Sequence, residues 1–345
     1  MKFKKKVLFV FMNIFFILFA LEVIAVISFK ISKRKSNPVK YHFYKNQPDQ
    51  TLGWKPKPNN TQILWNTNVS TNSFGFRNNS LNPDFNSSRQ SILAIGDSFT
   101  FGAEVPNEHT WPSFLSRKIK SQVINAGVNG YGLDQMYIHL KQILKDSSLN
   151  IKEVIIVFIK EDIHRTAQKV RDGSSKPYFH INEGELKLVP IQEDHTNQTV
   201  DYFKSLVMKS TFVSAFCERF FNYLFYSQTT TYIEHLPYNS YAISLRIFHN
   251  LKKIANDTKL KIRILPLNEH YDQYDQEYIH FIKELKELNS SYFNIIPELN
   301  IMRELGYKDE IKSLENVGHL WHGHLNFRGN EYLAETIYRY IEYRN

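Results

Sequence analysis

Two short motifs, far apart in the sequence, carry the residue types needed for nucleophilic catalysis. Ser98 lies in a Gly-Asp-Ser-Phe-Thr-Phe-Gly run at residues 96–102, directly after a short apolar stretch. His324 lies in a His-Gly-His-Leu-Asn run just before the last helical pattern of the sequence. A serine hydroxyl attacks poorly unless a base takes its proton, and histidine can be that base. The two motifs indicate nucleophilic catalysis through a serine, with Asp97 interpreted as a structural residue of the turn.

The apolar runs around these motifs predict a parallel sheet. Residues 91–96 form a short apolar run that ends on a glycine, and residues 153–159 form a longer run rich in β-branched residues. Both are typical of strands covered on both faces. Further strands are predicted at 122–126 and 261–267. Because open α/β folds bind ligands at the carboxyl ends of their strands, Ser98 falls at the expected edge.

Helical patterns alternate with these strands, which favours a three-layer α/β/α sandwich. Residues 166–255 interrupt the alternation and are interpreted as an insertion. Within this stretch, a hairpin is predicted at 176–191, with its turn at 182–184. Helices are predicted at 111–120, 134–144, 201–225, 239–256, 273–288 and 331–343.

The positive charge of the chain is confined to its N-terminal end. The formal net charge is +9, and residues 1–40 contain nine Lys or Arg against one acid, Glu22. The rest of the chain is close to neutral, so the composition gives no support for nucleic-acid binding. The single cysteine, Cys217, excludes an intramolecular disulfide and a cysteine-based zinc site.

Residues 7–29 predict a membrane anchor. This apolar run of 23 residues is interrupted by Asn13, Glu22 and Ser28, and at about 1.5 Å per residue it can cross a hydrocarbon core of about 30 Å. No small-x-small cleavage site follows it, so an uncleaved anchor is favoured over a removed signal peptide. The expected location is the bacterial inner membrane, in a single pass.

Basic residues flank both ends of the predicted anchor, so the positive-inside rule alone does not decide the orientation. A short basic tail at 1–6 is expected to stay in the cytoplasm, which places the body outside it. Beyond the anchor, residues 30–50 are interpreted as a linker and residues 51–90, rich in Asn, Pro and Ser, as a loop-rich extension. The main domain is predicted to occupy 91–345.

Four motifs occur in a fixed order along the body of the chain. They are Leu-Gly-Trp-Lys-Pro-Lys-Pro-Asn at 52–59, Asn-Ser-Phe-Gly-Phe-Arg at 72–77, the Ser98 motif at 96–102, and Asn-Ala-Gly-Val-Asn-Gly-Tyr-Gly at 125–132. Together they resemble the SGNH hydrolase (GDSL-type esterase) family, and more narrowly its membrane-anchored bacterial branch. The resemblance covers about residues 51–345 and implies a flavodoxin-like sandwich.

The resemblance also implies roles for individual residues. Ser98 would be the nucleophile and His324 the general base. The oxyanion hole would combine the backbone N–H groups of Ser98 and Gly130 with a side-chain amide from a third motif. Preorganised donors of this kind are needed where negative charge develops in the transition state. The substrate would be an acyl ester, and no cofactor is expected.

Two positions depart from the family pattern. Glu161 stands where the third motif should supply its amide, and an ionised carboxylate there would repel an oxyanion by about 4 kcal/mol at 4 Å with an effective dielectric of 20. Three interpretations are open: Glu161 is protonated, its side chain points away from the oxyanion hole, or the hole has only two donors. His322 stands where the triad acid is expected. Asp309 or Glu315 could replace that acid, or a backbone carbonyl could hold His324 in a Ser–His dyad.

The leading hypothesis is a serine esterase or acyltransferase, with O-acetyl groups of a cell-envelope glycan as the first substrate to try. A catalytically degenerate domain that binds glycan or a membrane partner is the alternative, favoured by Glu161 and His322. A lipase or thioesterase is the third. A metal site is not predicted, because His319, His322 and His324 have no accompanying carboxylate motif.

Overall fold

A computed structural model describes residues 46–64, 67–80, 85–171, 174–191, 240–267, 275–297 and 324–342. The chain divides into two units, and all of these residues belong to the one formed by Tyr41–Ile191 and Leu236–Asn345. The predicted tail at 1–6, anchor at 7–29 and helix at 201–225 lie outside the described residues. Within the described ranges, no helix combines the length and apolarity needed to cross a membrane.

The described segments form short hairpins, one central sheet and the helices around it. The strands are β1 (Asn46–Asp49), β2 (Gly53–Pro56), β3 (Thr61–Leu64), β4 (Thr67–Ser70), β5 (Ser91–Ile95), β6 (Gln122–Asn125), β7 (Ile151–Ile159), β8 (Val170–Arg171), β9 (Ser174–Ser175), β10 (Tyr178–Asn182), β11 (Glu185–Val189), β12 (Lys261–Leu267) and β13 (Phe293–Ile295). The helices are α1 (Ser98–Phe101), α2 (Trp111–Ile119), α3 (Leu133–Ile143), α4 (Lys160–Arg165), α5 (Ser240–Thr258), α6 (Gln276–Lys286) and α7 (Phe327–Glu342), with a 3₁₀ turn at Asn107–His109.

The central sheet has five strands in the order β13-β12-β7-β5-β6. Every pair in it is parallel, which confirms the predicted parallel α/β fold. Numbered by their appearance in the chain, the strands lie in the order 2-1-3-4-5, the doubly wound arrangement of flavodoxin-like folds. The order reverses between β5 and β7. Ligands bind at such a switch point, and the motif that contains Ser98 begins there.

Helices cover both faces of the sheet, because successive side chains of each strand point to opposite sides. Leu93 and Ile95 of β5 pack in a core cluster with α3, α5 and α6. Ile92 and Ala94 of the same strand pack in a second cluster with α2 and α7. The molecule therefore has the three predicted layers, and β5 is buried along its whole length.

Helix α5 corrects the interpretation of residues 166–255 as an insertion. Ile243, Ile247 and Leu251 are buried at intervals of four residues, and this stripe packs in the same core cluster as β7. Two parallel strands need a crossover connection, usually a helix, and α5 lies between β7 and β12 in the chain. The C-terminal part of the predicted insertion thus belongs to the sandwich. The predicted hairpin is present as β10 and β11.

The predicted loop-rich extension at 51–90 contains ordered hairpins. Strands β1 and β2 pair antiparallel, as do β3 and β4. Arg77 then forms an isolated antiparallel bridge with Asn125 of β6. The strands were not recognisable from the sequence, because four-residue segments rich in Asn, Pro and Thr give little apolar alternation.

The stability of the fold is expected to fall as the pH drops from about 6.5 to about 4. Nδ1 of His139, on α3, is shielded from solvent and has no hydrogen-bond partner among the described residues. Burial lowers the pKa of His139 to about 4, with Lys55 adding to the decrease and Asp49 opposing it. An unfolded histidine titrates near 6.5, so below that pH the unfolded chain binds the proton first and the native state loses up to roughly 3 kcal/mol.

The measurement is the urea midpoint of the parent and of His139→Gln at pH 7 and at about pH 4.5. The parent should lose more stability between pH 7 and pH 4.5 than the variant, because only the parent contains His139. The other titrating groups are the same in both proteins. An equal loss in the two proteins would contradict the assignment.

Candidate functional site

Ser98 is presented at the carboxyl end of β5 by a tight strand-to-helix turn. It is the first residue of α1 and is partly exposed, whereas Asp97 before it is buried. Oδ1 of Asp97 accepts the Phe99 N–H at 2.9 Å, which caps α1, and Oδ2 accepts the Ser98 hydroxyl at 3.3 Å. A Cβ at position 96 would lie 2.1 Å from the Thr100 hydroxyl oxygen. The turn therefore requires glycine before the Asp-Ser pair.

The loop after β6 approaches this turn closely. The Val128 N–H donates to the Gly96 carbonyl at 3.0 Å, and a Cβ at Gly127 would lie 2.3 Å from the Phe101 nitrogen. Gly130 has a φ of +79°, a left-handed conformation that favours glycine. Within the described part of the chain, neither Gly130 N–H nor Ser98 N–H has an acceptor. The two donors assigned to the oxyanion hole are thus uncommitted in this region.

Arg165 joins the three segments that surround Ser98. Its Nη1 donates to Oδ2 of Asp97 at 3.2 Å and to the Tyr131 carbonyl at 3.0 Å, and it pairs with Asp162. Burial, followed by the neighbouring Asp97 carboxylate, raises the pKa of Asp162 well above its usual value. Two carboxylates share one guanidinium in the interior, so the network depends on Arg165.

The N-terminal extension holds the same loop from outside. The Trp54 indole N–H donates to the Asn129 carbonyl at 3.0 Å, and the Tyr131 hydroxyl donates to the Trp54 carbonyl at 2.6 Å. The Gln135 amide donates to the Leu52 carbonyl at 2.7 Å. These bonds connect the Leu-Gly-Trp motif to the loop after β6. Tyr131 and Gln135 are fully buried, so their side chains pack in the interior.

Arg77 fixes the segment that follows α1. It is buried, and its Nε donates to Oδ1 of Asn107 at 2.8 Å. Its Nη1 donates to the carbonyls of Phe101 at 3.2 Å and Gly102 at 3.3 Å, and its Nη2 donates to the Val105 carbonyl at 2.8 Å. The arginine of the Asn-Ser-Phe-Gly-Phe-Arg motif thereby orders the turn between α1 and the 3₁₀ turn.

His324 is carried by a segment anchored at the start of α7. Leu325 is buried, and Asn330 donates to the Leu325 carbonyl at 2.8 Å while accepting the Trp111 N–H at 2.9 Å. The His324 ring lies beside that of Phe99, with 5.5 Å between centroids. The structure therefore brings His324 next to the residue that follows Ser98.

The hydrogen bonds of these two side chains go to other partners. The Ser98 hydroxyl bonds to Asp97 at 3.3 Å, and among the described residues no hydrogen bond joins it to His324. Nδ1 of His324 instead lies 3.0 Å from Oε1 of Glu104. Catalytic hydrogen bonds are often long without substrate and tighten in the complex.

The two departures from the motif pattern have different outcomes. Glu161 is partly exposed, and its Oε1 lies 3.4 Å from Nη1 of Arg171. That contact pairs the Glu161 carboxylate with a cation. His322, Asp309 and Glu315 lie outside the described residues. Within those residues, no three His, Cys, Asp or Glu side chains are grouped as metal ligands.

Three residues of the site were not assigned from the sequence. Arg77 lies inside a recognised motif without a stated role, and Arg165 follows the third motif by a few residues. Glu104 lies in the Gly-Ala-Glu-Val turn, where nothing in the residue types predicts a contact with His324. The only sequence feature that could have indicated Glu104 is its position close to the serine motif. Carboxylates occur near such motifs often by chance.

Comparisons with known proteins give distant similarities. No protein-family model and no curated protein match the chain. Among solved structures, TesA shares 11% identity over 74% of this chain and 100% of its own, with a TM-score of 0.43. A catalytic mutant of the acetylxylan esterase Axe2 from Geobacillus stearothermophilus shares 16% identity over 74% and 95%, with a TM-score of 0.35. The SGNH-hydrolase family esterase AlinE4 shares 13% over 74% and 96%, with a TM-score of 0.36. Similarities this distant do not assign the chain to a family.

Proposed function

We propose that the chain is a serine esterase or acyltransferase that acts on carbon–oxygen esters, with Ser98 as nucleophile and His324 as general base. The observation that carries the proposal is the position of Ser98. Its partly exposed hydroxyl lies at the carboxyl end of β5, at the switch point of the sheet, and the His324 ring packs on the adjacent Phe99. The motif resemblance to SGNH hydrolases supports the same roles.

The reaction follows from these groups. The Ser98 oxygen attacks the acyl carbonyl carbon while a ring nitrogen of His324 takes the hydroxyl proton. The N–H groups of Ser98 and Gly130 are the donors available to the oxyanion that forms. When the carbon–oxygen ester bond breaks, the leaving alcohol takes the proton from His324. Water, or a sugar hydroxyl in the case of transfer, then releases the acyl group from Ser98.

The proposed substrate is an O-acetyl group on a polysaccharide of the bacterial cell envelope. This rests on the predicted anchor at 7–29, which would hold the domain at the outer side of the inner membrane, and on the motif resemblance. An enzyme tethered there meets envelope glycans continuously. No cofactor takes part in the proposed reaction.

The proposal predicts a preference for short acyl groups. Full-length chain, purified in detergent, should hydrolyse p-nitrophenyl acetate with a kcat/KM at least about tenfold above that for the palmitate ester, because a pocket for two carbons cannot hold sixteen. Acetate release from an acetylated glycan is the second readout, and acetyl transfer is detected by adding a free sugar acceptor. Preference for palmitate would overturn the glycan substrate in favour of a lipase or thioesterase.

Two observations favour a second candidate, a domain that binds glycan or a membrane partner without turnover. The Ser98 hydroxyl bonds to Asp97 and not to His324, and Glu161 occupies the position of the expected amide. In that case the parent chain would bind the acetylated glycan and release no acetate, and Ser98→Ala would bind it equally well.

A further inference from the structure

We propose that Glu104 is the carboxylate that positions His324, taking the part of the triad acid whose expected place is occupied by His322. Oε1 of Glu104 lies 3.0 Å from Nδ1 of His324, and the two side chains are 28% and 25% exposed. The inference rests on the proposed function, since a positioning carboxylate matters only if His324 acts as a base. It places the acid in the turn after the nucleophile helix and not beside the histidine in the sequence.

The backbone at Glu104 adopts a conformation that is unfavourable for glutamate. Its φ is +71°, a left-handed conformation that is unfavourable for a residue with a Cβ. Strained conformations persist where the surrounding structure holds them, and they concentrate at functional sites. A glycine would satisfy the turn without strain, so the backbone itself does not require a glutamate at this position.

The turn around Glu104 is fixed on both sides. Arg77 donates to the Gly102 carbonyl at 3.3 Å and to the Val105 carbonyl at 2.8 Å, the residues that flank Ala103 and Glu104. A Cβ at Gly102 would lie 2.3 Å from Cγ2 of Thr110. Arg77 also donates to the carbonyl of Phe101, the last residue of the helix that Ser98 opens. One buried arginine thus links the position of Glu104 to that of the nucleophile.

The chemistry of this contact follows from the tautomers of histidine. A carboxylate beside Nδ1 accepts a hydrogen bond from the Nδ1–H group. It therefore favours the histidine tautomer that carries its proton on Nδ1. The Ser98 proton then goes to Nε2 as the Ser98 oxygen forms its bond to the acyl carbon. The imidazolium is stabilised by the Glu104 carboxylate, and Nε2 later gives its proton to the leaving alcohol.

The test compares Glu104→Gln and Glu104→Gly in the full-length chain with the control Glu183→Gly. Glu183 is also a glutamate with a left-handed φ, +51°, but it lies in the turn between β10 and β11. Glu104→Gln should lower kcat on p-nitrophenyl acetate between about 10²- and 10⁴-fold with little change in KM. Glu104→Gly should lower kcat similarly while its Tm equals or exceeds that of the parent, because glycine relieves the strain.

The control Glu183→Gly should likewise keep or raise the Tm and leave kcat unchanged. A kcat for Glu104→Gln within threefold of the parent would overturn the inference while leaving the proposed function intact. A fall in both Tm and kcat for Glu104→Gly would also overturn it, because that result is expected of a structural residue.

A second readout does not require turnover. The tautomer of His324 can be read by NMR in chain labelled with ¹⁵N-histidine, with the signal assigned by its loss in His324→Gln. The inference expects the Nδ1–H tautomer in the parent and a shift toward the Nε2–H tautomer in Glu104→Gly. The Nε2–H tautomer in the parent would overturn it, even if the chain hydrolyses no ester.

Discussion

Ser98→Ala and His324→Ala are each expected to lower kcat for p-nitrophenyl acetate by about 10⁴- to 10⁶-fold. In the proposed mechanism, Ser98 supplies the atom that bonds to the acyl carbon, and His324 supplies the base without which that atom is a weak nucleophile. Because the two act as one unit, the double variant should lose no more activity than either single variant. Steady-state kinetics of the three variants and the parent give the measurement.

Matched controls separate this loss from damage to the fold. Ser88→Ala changes an exposed serine in the turn before β5, and His280→Ala changes an exposed histidine of α6. Both should keep the kcat of the parent, and all variants should keep its Tm to within a few degrees. Losses that add in the double variant would indicate that Ser98 and His324 do not work in a common step.

Arg165→Met is expected to destabilise the domain by about 3–5 kcal/mol, because it removes the cation that the buried side chains of Asp97 and Asp162 share. Methionine keeps much of the volume of the side chain, so the loss reports the charge. Activity should fall as well, since Arg165 also holds the Tyr131 carbonyl at 3.0 Å beside the Gly130 loop. Urea unfolding followed by tryptophan fluorescence gives the free energy of unfolding.

The control is Arg339→Met on α7. Arg339 pairs with Glu335 at 2.7 Å, but its side chain is 69% exposed, so the loss there should stay below about 1 kcal/mol. Adding Asp162→Asn to Arg165→Met should recover part of the stability by removing one of the two buried carboxylates. Equal losses for Arg165→Met and Arg339→Met would show that the buried network contributes no more than a surface pair.

The architecture of the sheet could be predicted because its signals are local. Fully buried strands such as β5 and β7 are continuous apolar runs, and Leu333, Ile337 and Ile341 of α7 are buried at intervals of four residues. The short strands of the extension could not be predicted, since pairing partners and not residue types define them. The assignment of α5 to an insertion failed for a related reason. A long interruption before it concealed its role as the crossover between β7 and β12.

The residues of the candidate site also differ in whether the sequence could predict them. Ser98 and His324 are recognisable because the motifs around them are ordered and specific. The contacts of Glu104 and Arg165 join segments distant in the sequence, and Glu104 and His324 are separated by 220 positions. Such contacts depend on the closure of the whole fold. The left-handed backbone at Glu104 adds to this, because no residue preference predicts a glutamate in that conformation.

The most direct test of the central claim is reaction of the full-length chain with a fluorophosphonate probe, followed by mass mapping of the adduct. Such a probe modifies a serine that is activated by a neighbouring base. An activated Ser98 predicts an adduct on Ser98 in the parent, none in Ser98→Ala and strongly slowed labelling in His324→Ala. A folded parent chain that is not labelled, or an adduct on another residue, would contradict the claim.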